Sequence, residues 1–464
     1  MFVPLPHPQF TFGVNKYLAF IGGKWTASNQ TFTTGIHNAG HLWSEVADCG
    51  PKEAELALES AITATSIWAT QPIQARLDLI AAWQEKLTRN VRRLANAIAS
   101  ETGKPISQGK QEIAYATGLI DQFLSAAKTT TLDQNSSQPS QNASNKTQSP
   151  GPGLVVLSWQ SPAYDFVRNT IRLFAEGRSA IVVPAPEAPL SALLLAQYWE
   201  EVDSPAGSLQ VLTTSSQEEV CQQFIADARI QSMDISGNSK NARALYESAI
   251  RKNRSATLDT ARPVPYFVFA DADIDVAAAI IVETVLGISA QPSVLAPYVY
   301  VCASVCAELG DRIVSILDKF HVGNPFEEKT QIGPLLNTAT SADLDIYVED
   351  AITSGARLFY RKPRTGLISY PIVLQSEATN VHLSNGRLLG PVLLMSTFDS
   401  DRQLRGIADG FSGTPLVHYW SCSGKSMVEM QAKLSDSTFR MNVSRIPSVE
   451  EISTMAATDL LARR

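Results

Sequence analysis

Ser293 lies in the stretch GISAQPSVLAPYVYV (287–301) and carries a hydroxyl that could act as a nucleophile. A serine hydroxyl is far less acidic than a cysteine thiol and attacks only when an adjacent base, usually histidine, accepts its proton. No histidine lies near it in sequence, and the six histidines of the chain form neither an HExxH motif nor a triad-like cluster. Read from the residues, Ser293 is a turn position stiffened by Pro292 and Pro297. Cys302 and Cys306 follow nine and thirteen positions later, in or just after a strand continuing from YVYV, and read as core or surface thiols. All five cysteines (Cys49, Cys221, Cys302, Cys306 and Cys422) are scattered without zinc spacing or a disulfide framework, as expected of reduced thiols. Asp271 and Asp273 are placed to cap a helix rather than to bind a metal.

These residues must be held by a sizeable scaffold. At 464 residues the chain is long enough for two or three domains. Its 44% hydrophobic and 18% charged residues are those of a globular protein. A net charge of −7 disfavours nucleic acid or an anionic membrane surface as the main partner. No apolar run reaches the roughly 18–20 residues that span a bilayer. The N-terminal twenty residues lack a basic start and an uninterrupted apolar core, so no signal peptide is expected and a cytoplasmic setting is.

The elements follow from periodicity and punctuation. YLAFIGGKW reads as a strand and glycine turn. Pro51 opens a helix; a second places Ile73, Leu77, Ile80 and Leu87 on one face; a third, through Val91, Leu94 and Ile98, stops at ETGKP. Residues 129–153 contain almost no apolar side chains and are expected to form a polar low-complexity loop, with sequons at Asn135, Asn142 and Asn145 that composition alone explains. From there strands (GLVVLSW, SAIVVP, SLQVLTT, IQSMDIS) alternate with helices, the pattern of a parallel, doubly wound sheet. No G-x-G-x-x-G follows any strand. A second α/β unit follows, from PYFVFA through DADIDVAAAIIVETVLG and YVYVCA to YVEDAITSGARLFY. The expected organisation is a Rossmann-type coenzyme-binding-like domain (1–128 and 154–256), the polar loop, a catalytic-like α/β domain (257–435), a cleft between the domains, and a shortened C-terminal segment (436–464).

The run FIGGKW…ETGKP…GNP…IGPLL…LLGPV, in that order over nearly the whole chain, resembles the aldehyde dehydrogenase superfamily; HVGNPFEEKTQIGPLLNTAT (321–340) is its most specific piece. Within the superfamily the chain is most similar to succinylglutamate-semialdehyde dehydrogenases. The resemblance implies that fold, a thiolate nucleophile, a carboxylate base, an oxyanion donor and bound NAD(P). Mapped by motif, the nucleophile position holds Ser293 after a retained Gln291, and the base position in LDTAR holds Asp259. The 34-residue separation of these two positions fits the family's spacing. In SWQSP the oxyanion position holds Gln160, beside Trp159. The family's KPSE becomes VPAP, with Val183 and Pro186 in place of the ribose-holding Lys and Glu. GRLLGP puts Arg387 where the family has a Glu gripping the nicotinamide ribose, and Leu389 at the Phe. SGN keeps Gly237 of the pyrophosphate turn. The paired glycines after the base become Ala261 and Arg262.

Substitution at the nucleophile, the base and both ribose contacts implies an aldehyde dehydrogenase-fold protein without the family's activity. It would serve as a pseudoenzyme in a regulatory or scaffold role, paired with a homologous or metabolic protein or with itself, and without a cofactor. The alternative is an NAD(P)-dependent oxidoreductase of an aldehyde or semialdehyde with an altered site, or a weak esterase using Ser293. Loss of the usual oligomerisation elements implies altered self-association.

Overall fold

A computed structural model describes residues 9–11, 14–35, 44–136, 151–230, 232–237, 239–259, 262–286, 295–377, 390–409, 416–422 and 438–442. In chain order the strands and helices are β1 (Gln9–Thr11), β2 (Val14–Tyr17), β3 (Ala19–Ile21), β4 (Lys24–Thr26), β5 (Thr31–Thr34), β6 (Ser44–Ala47), α1 (Pro51–Trp68), α2 (Ile73–Arg89), α3 (Val91–Thr102), α4 (Ile106–Ser136), β7 (Gly153–Val156), α5 (Pro162–Ala175), β8 (Ala180–Val183), α6 (Pro189–Glu200), β9 (Leu209–Val211), α7 (Gln217–Ala226), β10 (Ser232–Ser236), α8 (Lys240–Arg251) and β11 (Ser255–Asp259). They continue with β12 (Arg262–Val268), α9 (Ile274–Ile281), β13 (Leu295–Cys302), α10 (Cys306–Leu317), α11 (Thr338–Thr353), β14 (Arg357–Tyr360), β15 (Ile372–Glu377), β16 (Val392–Phe398), α12 (Asp401–Asp409), β17 (Leu416–Trp420) and β18 (Thr438–Met441). The chain divides into two compact units. The described residues of the first run up to Thr102 and from Gly109 to Asp259; the second holds Gly103–Gln108 and the described residues after Thr260.

In the first unit a seven-stranded sheet has the order β11-β10-β7-β8-β9-β3-β4. Its first five strands are parallel, in the register Ser236↔Asp259, Ile235↔Val156 and Val156↔Val183. Strands β7, β8 and β9 are buried on both faces, which is why GLVV, AIVV and LQV read as continuous rather than alternating runs. Helices α1, α2, α5 and α6 meet around Trp68, Trp83, Phe174 and Trp199, with the Phe174 and Trp199 rings stacked 4.1 Å apart. All three indoles are anchored: Trp68 Nε1 donates to the Phe174 carbonyl (3.0 Å), Trp83 Nε1 to that of Leu195 (3.2 Å) and Trp199 Nε1 to Ser208 Oγ (2.9 Å). A four-stranded sheet, β1-β2-β6-β5, belongs to the same unit.

Two sequence expectations change here. In α2 the buried face is Leu77, Ile80, Trp83 and Leu87, while Ile73 at the first helical position is 39% exposed. The helix has not yet turned its face to the core at that position. The expected polar loop is also shorter than 129–153, because α4 runs on to Ser136. Once Ile113, Ala116, Leu119, Ile120 and Phe123 have packed that helix, each added residue gains a backbone hydrogen bond without a new nucleation cost. Asn135 therefore lies on the helix, and Asn142 and Asn145 lie outside the described residues.

The second unit is a seven-stranded sheet, β14-β15-β16-β13-β12-β17-β18, parallel except for the antiparallel β14–β15 pair. Phe267, Phe269, Tyr300, Phe398, Val417 and Tyr419 form a core cluster within it. Asp273 caps α9, its carboxylate accepting from the Val276 N–H (3.1 Å), and Asp271 accepts from Ser421 Oγ and the Cys422 N–H. No group of three or more metal-ligating side chains occurs among the described residues. Cys306 is buried, which pushes its thiol up to about 11, away from nucleophile duty.

The motifs ETGKP, GNP and IGPLL meet in this unit. The Ile106 N–H donates to the Pro325 carbonyl (2.7 Å) and the Gly323 N–H to that of Ile332 (3.0 Å). A Cβ on Gly333 would lie 1.8 Å from the Gly103 carbonyl oxygen, so only glycine fits. Gly333→Ala should lower stability by about 3 kcal/mol or more through forced backbone separation. Its urea midpoint, at unchanged transition slope, measures this; a midpoint equal to that of the unsubstituted chain contradicts it.

Candidate active site

A parallel sheet delivers each helix N-terminus to the carboxyl edge of its strands, where open α/β sheets bind ligands. The first N–H groups of a helix have no intrahelical acceptor. In the first unit these groups are treated in different ways. Glu112 Oε1 accepts from the N–H of Ala163 (2.9 Å) and Tyr164 (3.3 Å), closing the start of α5. Glu101, the first residue of ETGKP, accepts from Leu190 (2.6 Å) and Ser191 (3.2 Å), closing α6. Helix α7 carries Glu218 and Glu219 in its first turn, which disfavours an anion there. Helix α8 has no acidic residue in its first turn. Ser239 caps it by accepting from Ala242 (3.0 Å), and the N–H groups of Lys240 and Asn241 have no partner among the described residues.

Gly237 precedes that helix with φ +108°, a conformation that side-chain-bearing residues rarely adopt. A Cβ there would come within 3.0 Å of Ser158 Cβ. The Ser158 hydroxyl, at the carboxyl end of β7, is buried without a partner among the described residues. A glycine turn, a helix N-terminus with a lysine at its first position and a hydroxyl, both without partners among the described residues, together suit a phosphate-bearing ligand.

The ends of β7 and β8 are less open. The Val183 side chain is fully buried, and Gln217 Nε2 donates to both the Leu157 and Val183 carbonyls (3.0 Å each). No side chain at 183 or 186 can donate to a ribose. Trp159 and Gln160 are half-buried just ahead of Ser161, the N-cap of α5, and the Gln160 amide makes no hydrogen bond among the described residues. Asp259, the last residue of β11, forms a buried ion pair with Arg168 of α5, the side chains being 7% and 4% exposed. Burial disfavours the guanidinium charge, but Asp259 beside it more than compensates and holds Arg168 above its ordinary value. The expected base is thus already engaged by a cation. The Gly237 N–H donates to the Asp259 carbonyl (2.9 Å), so these two predicted positions are neighbours. Ser293 and Arg387, together with Gln291, Ala261 and Leu389, lie outside the described residues.

Fold and strand-edge geometry agree with comparison to known proteins. The family model "Aldehyde dehydrogenase family" matches residues 25–451. The chain belongs to the aldehyde dehydrogenase family. This family member is 26% identical over 390 residues to a glutarate-semialdehyde dehydrogenase of Pseudomonas putida, covering 83% of this chain and 81% of that one. It is 25% identical over 439 residues to a mitochondrial succinate-semialdehyde dehydrogenase of Rattus norvegicus, covering 93% and 84%. Its fold matches the crystal structure of an NAD-dependent benzaldehyde dehydrogenase from Corynebacterium glutamicum with a TM-score of 0.81 at 21% identity, over 96% of each chain. The likeness is thus to semialdehyde dehydrogenases more broadly than to the succinylglutamate-specific enzymes expected from the motifs.

Motif reading passed over Arg168, Glu112, Gln217 and Ser158. Ser158 is the first residue of SWQSP; the others act on partners dozens of positions away.

Glu101 yields a pH test. Burial pushes its carboxyl from the ordinary 4.5 up to about 8, against the lowering effect of its hydrogen bonds from Ser191 and Leu190. The folded state therefore holds this proton more tightly than the unfolded state. That contribution to stability is full below about pH 4.5 and is lost as pH rises through about 8. Glu101→Gln keeps an acceptor for the α6 N–H groups and removes the titration. The variant should match the parent near pH 5 and exceed it by a few kcal/mol above pH 8. Parallel unfolding profiles for the two proteins across that range would contradict this.

Proposed function

We propose that this aldehyde dehydrogenase family member is an NAD(P)-dependent oxidoreductase of an aldehyde, of the semialdehyde class, with an altered and slow active site. The observation that carries the reading is the combination of Gly237, the unpartnered Ser158 hydroxyl and the open N-terminus of α8. Family membership and the semialdehyde-dehydrogenase relatives support it. The N–H groups of Lys240 and Asn241 would hold the coenzyme pyrophosphate, with the Ser158 hydroxyl as a further donor. The bound NAD(P) supplies the hydride acceptor. Gln160 offers its amide to a developing oxyanion, and Ser293 occupies the nucleophile position. Exchange of the family's thiol for a hydroxyl, with Asp259 engaged by Arg168, sets the expected rate. Losing one member of such a cooperating set costs roughly 10⁴–10⁶-fold.

A second reading is favoured by Val183, Pro186 and the Gln217 bridge, which leave a ribose no side-chain donor at those positions. On that reading the chain is a non-catalytic regulatory or scaffold protein acting through a homologous or metabolic partner.

Calorimetric titration with NAD⁺ and with NADP⁺, followed by NAD(P)H absorbance with succinate and glutarate semialdehydes, separates the two. Saturable coenzyme binding and slow, enzyme-dependent NAD(P)H formation are expected. No binding of either coenzyme at millimolar concentration would overturn the oxidoreductase reading in favour of the non-catalytic one.

A further inference from the structure

The carboxylate of Asp259 is committed to an ion pair. Helix α5 is buried along nearly its whole length, and three of its polar residues face the carboxyl halves of β10 and β11. Arg168 pairs with Asp259. Asn169 Nδ2 donates to Ser236 Oγ (3.0 Å). One turn on, Arg172 Nη2 lies 3.7 Å from the Asp234 carboxylate, which also accepts from Thr257 Oγ1 of β11 (2.5 Å). Ser236 immediately precedes Gly237, and the Asp259 carbonyl accepts the Gly237 N–H (2.9 Å). Arg168 and Asn169 therefore grip the two residues that flank and hold the Gly237 turn, one on each strand.

We infer that Arg168 is a positioning residue for the Gly237 turn: with Asn169 it clamps the ends of β10 and β11, and it does so by turning Asp259 from a proton acceptor into an anchor. An aspartate whose carboxylate is committed to a buried guanidinium is oriented along the pair, which serves a fixed backbone rather than a transferable proton. A helix side chain can thereby set the position of a turn that it does not itself touch. What the turn holds rests on the coenzyme reading above; the clamp does not.

Amide hydrogen exchange of the full chain, read at Gly237 and at Val182 of β8, is measured for the unsubstituted protein and for Arg168→Met, Arg168→Lys and Asn169→Ala. Arg168→Met should speed exchange at Gly237 at least tenfold more than at Val182. Arg168→Lys should restore most of the protection, and Asn169→Ala should give a smaller selective loss. Where Arg168→Met fails to fold, the lysine and alanine variants decide alone: the clamp requires a selective rise at Gly237 in Asn169→Ala. Exchange that is unchanged at Gly237, or that rises equally at both sites, overturns the clamp, since a merely structural role would loosen the sheet uniformly. If the unsubstituted protein binds NAD⁺, Arg168→Met should weaken that binding about tenfold and Arg168→Lys should recover it. Selective exchange with no coenzyme binding would leave the clamp standing and remove the coenzyme reading; coenzyme binding that is equal in Arg168→Met would overturn the clamp's role in positioning the turn.

Discussion

Everything at the carboxyl edge of the first unit's sheet depends on how unpaired helix N–H groups are satisfied. A right-handed strand–helix–strand sheet gathers these donors on one side, and burial leaves each with a partner or a cost. Glu112 and Glu101 close α5 and α6 from within the fold. Of α7 and α8, whose first two N–H groups have no partner among the described residues, α8 is the one without an acidic first turn and with Gly237 ahead of it. The two glutamates are structural in this sense, yet they determine where an anion can be held.

The same edge shows how strand ends are closed from within the fold. Gln217 bridges the carbonyls at the ends of β7 and β8, and Asp259 is bound to Arg168. Removing one partner of such a buried pair typically costs about 3–5 kcal/mol, because the other charge is left uncompensated. The pair therefore stabilises the α5–β11 contact only as a unit. Gly237 supplies the positive-φ backbone geometry that the turn requires.

Much of the architecture was legible in the sequence. Continuous apolar runs such as AIVV and GLVV separated by amphipathic helices require a parallel sheet, and Asp273 does cap its helix. The roles of Asp259 and Val183 were only half legible. Motif register gives their positions, but Arg168 lies 91 residues from Asp259 and Gln217 lies 60 from Leu157, so nothing local announces either contact. The end of α4 was misplaced for a related reason. Its last turns are polar, and they stay helical because the packed turns before them have already met the cost of nucleation. Ile73 shows the converse: it fits the helical period of α2 but stands at the end, before the packed face begins.

The most direct measurement is a titration of NAD⁺ into amide-labelled protein, followed at the backbone resonances of the helix starts. Saturable shifts at Gly237, Lys240 and Asn241, with those of Ala163, Tyr164, Leu190 and Ser191 unmoved, are the predicted result. Shifts centred on the glutamate-closed helices, or none at α8 at millimolar NAD⁺, would contradict α8 as the anion-holding end of this site.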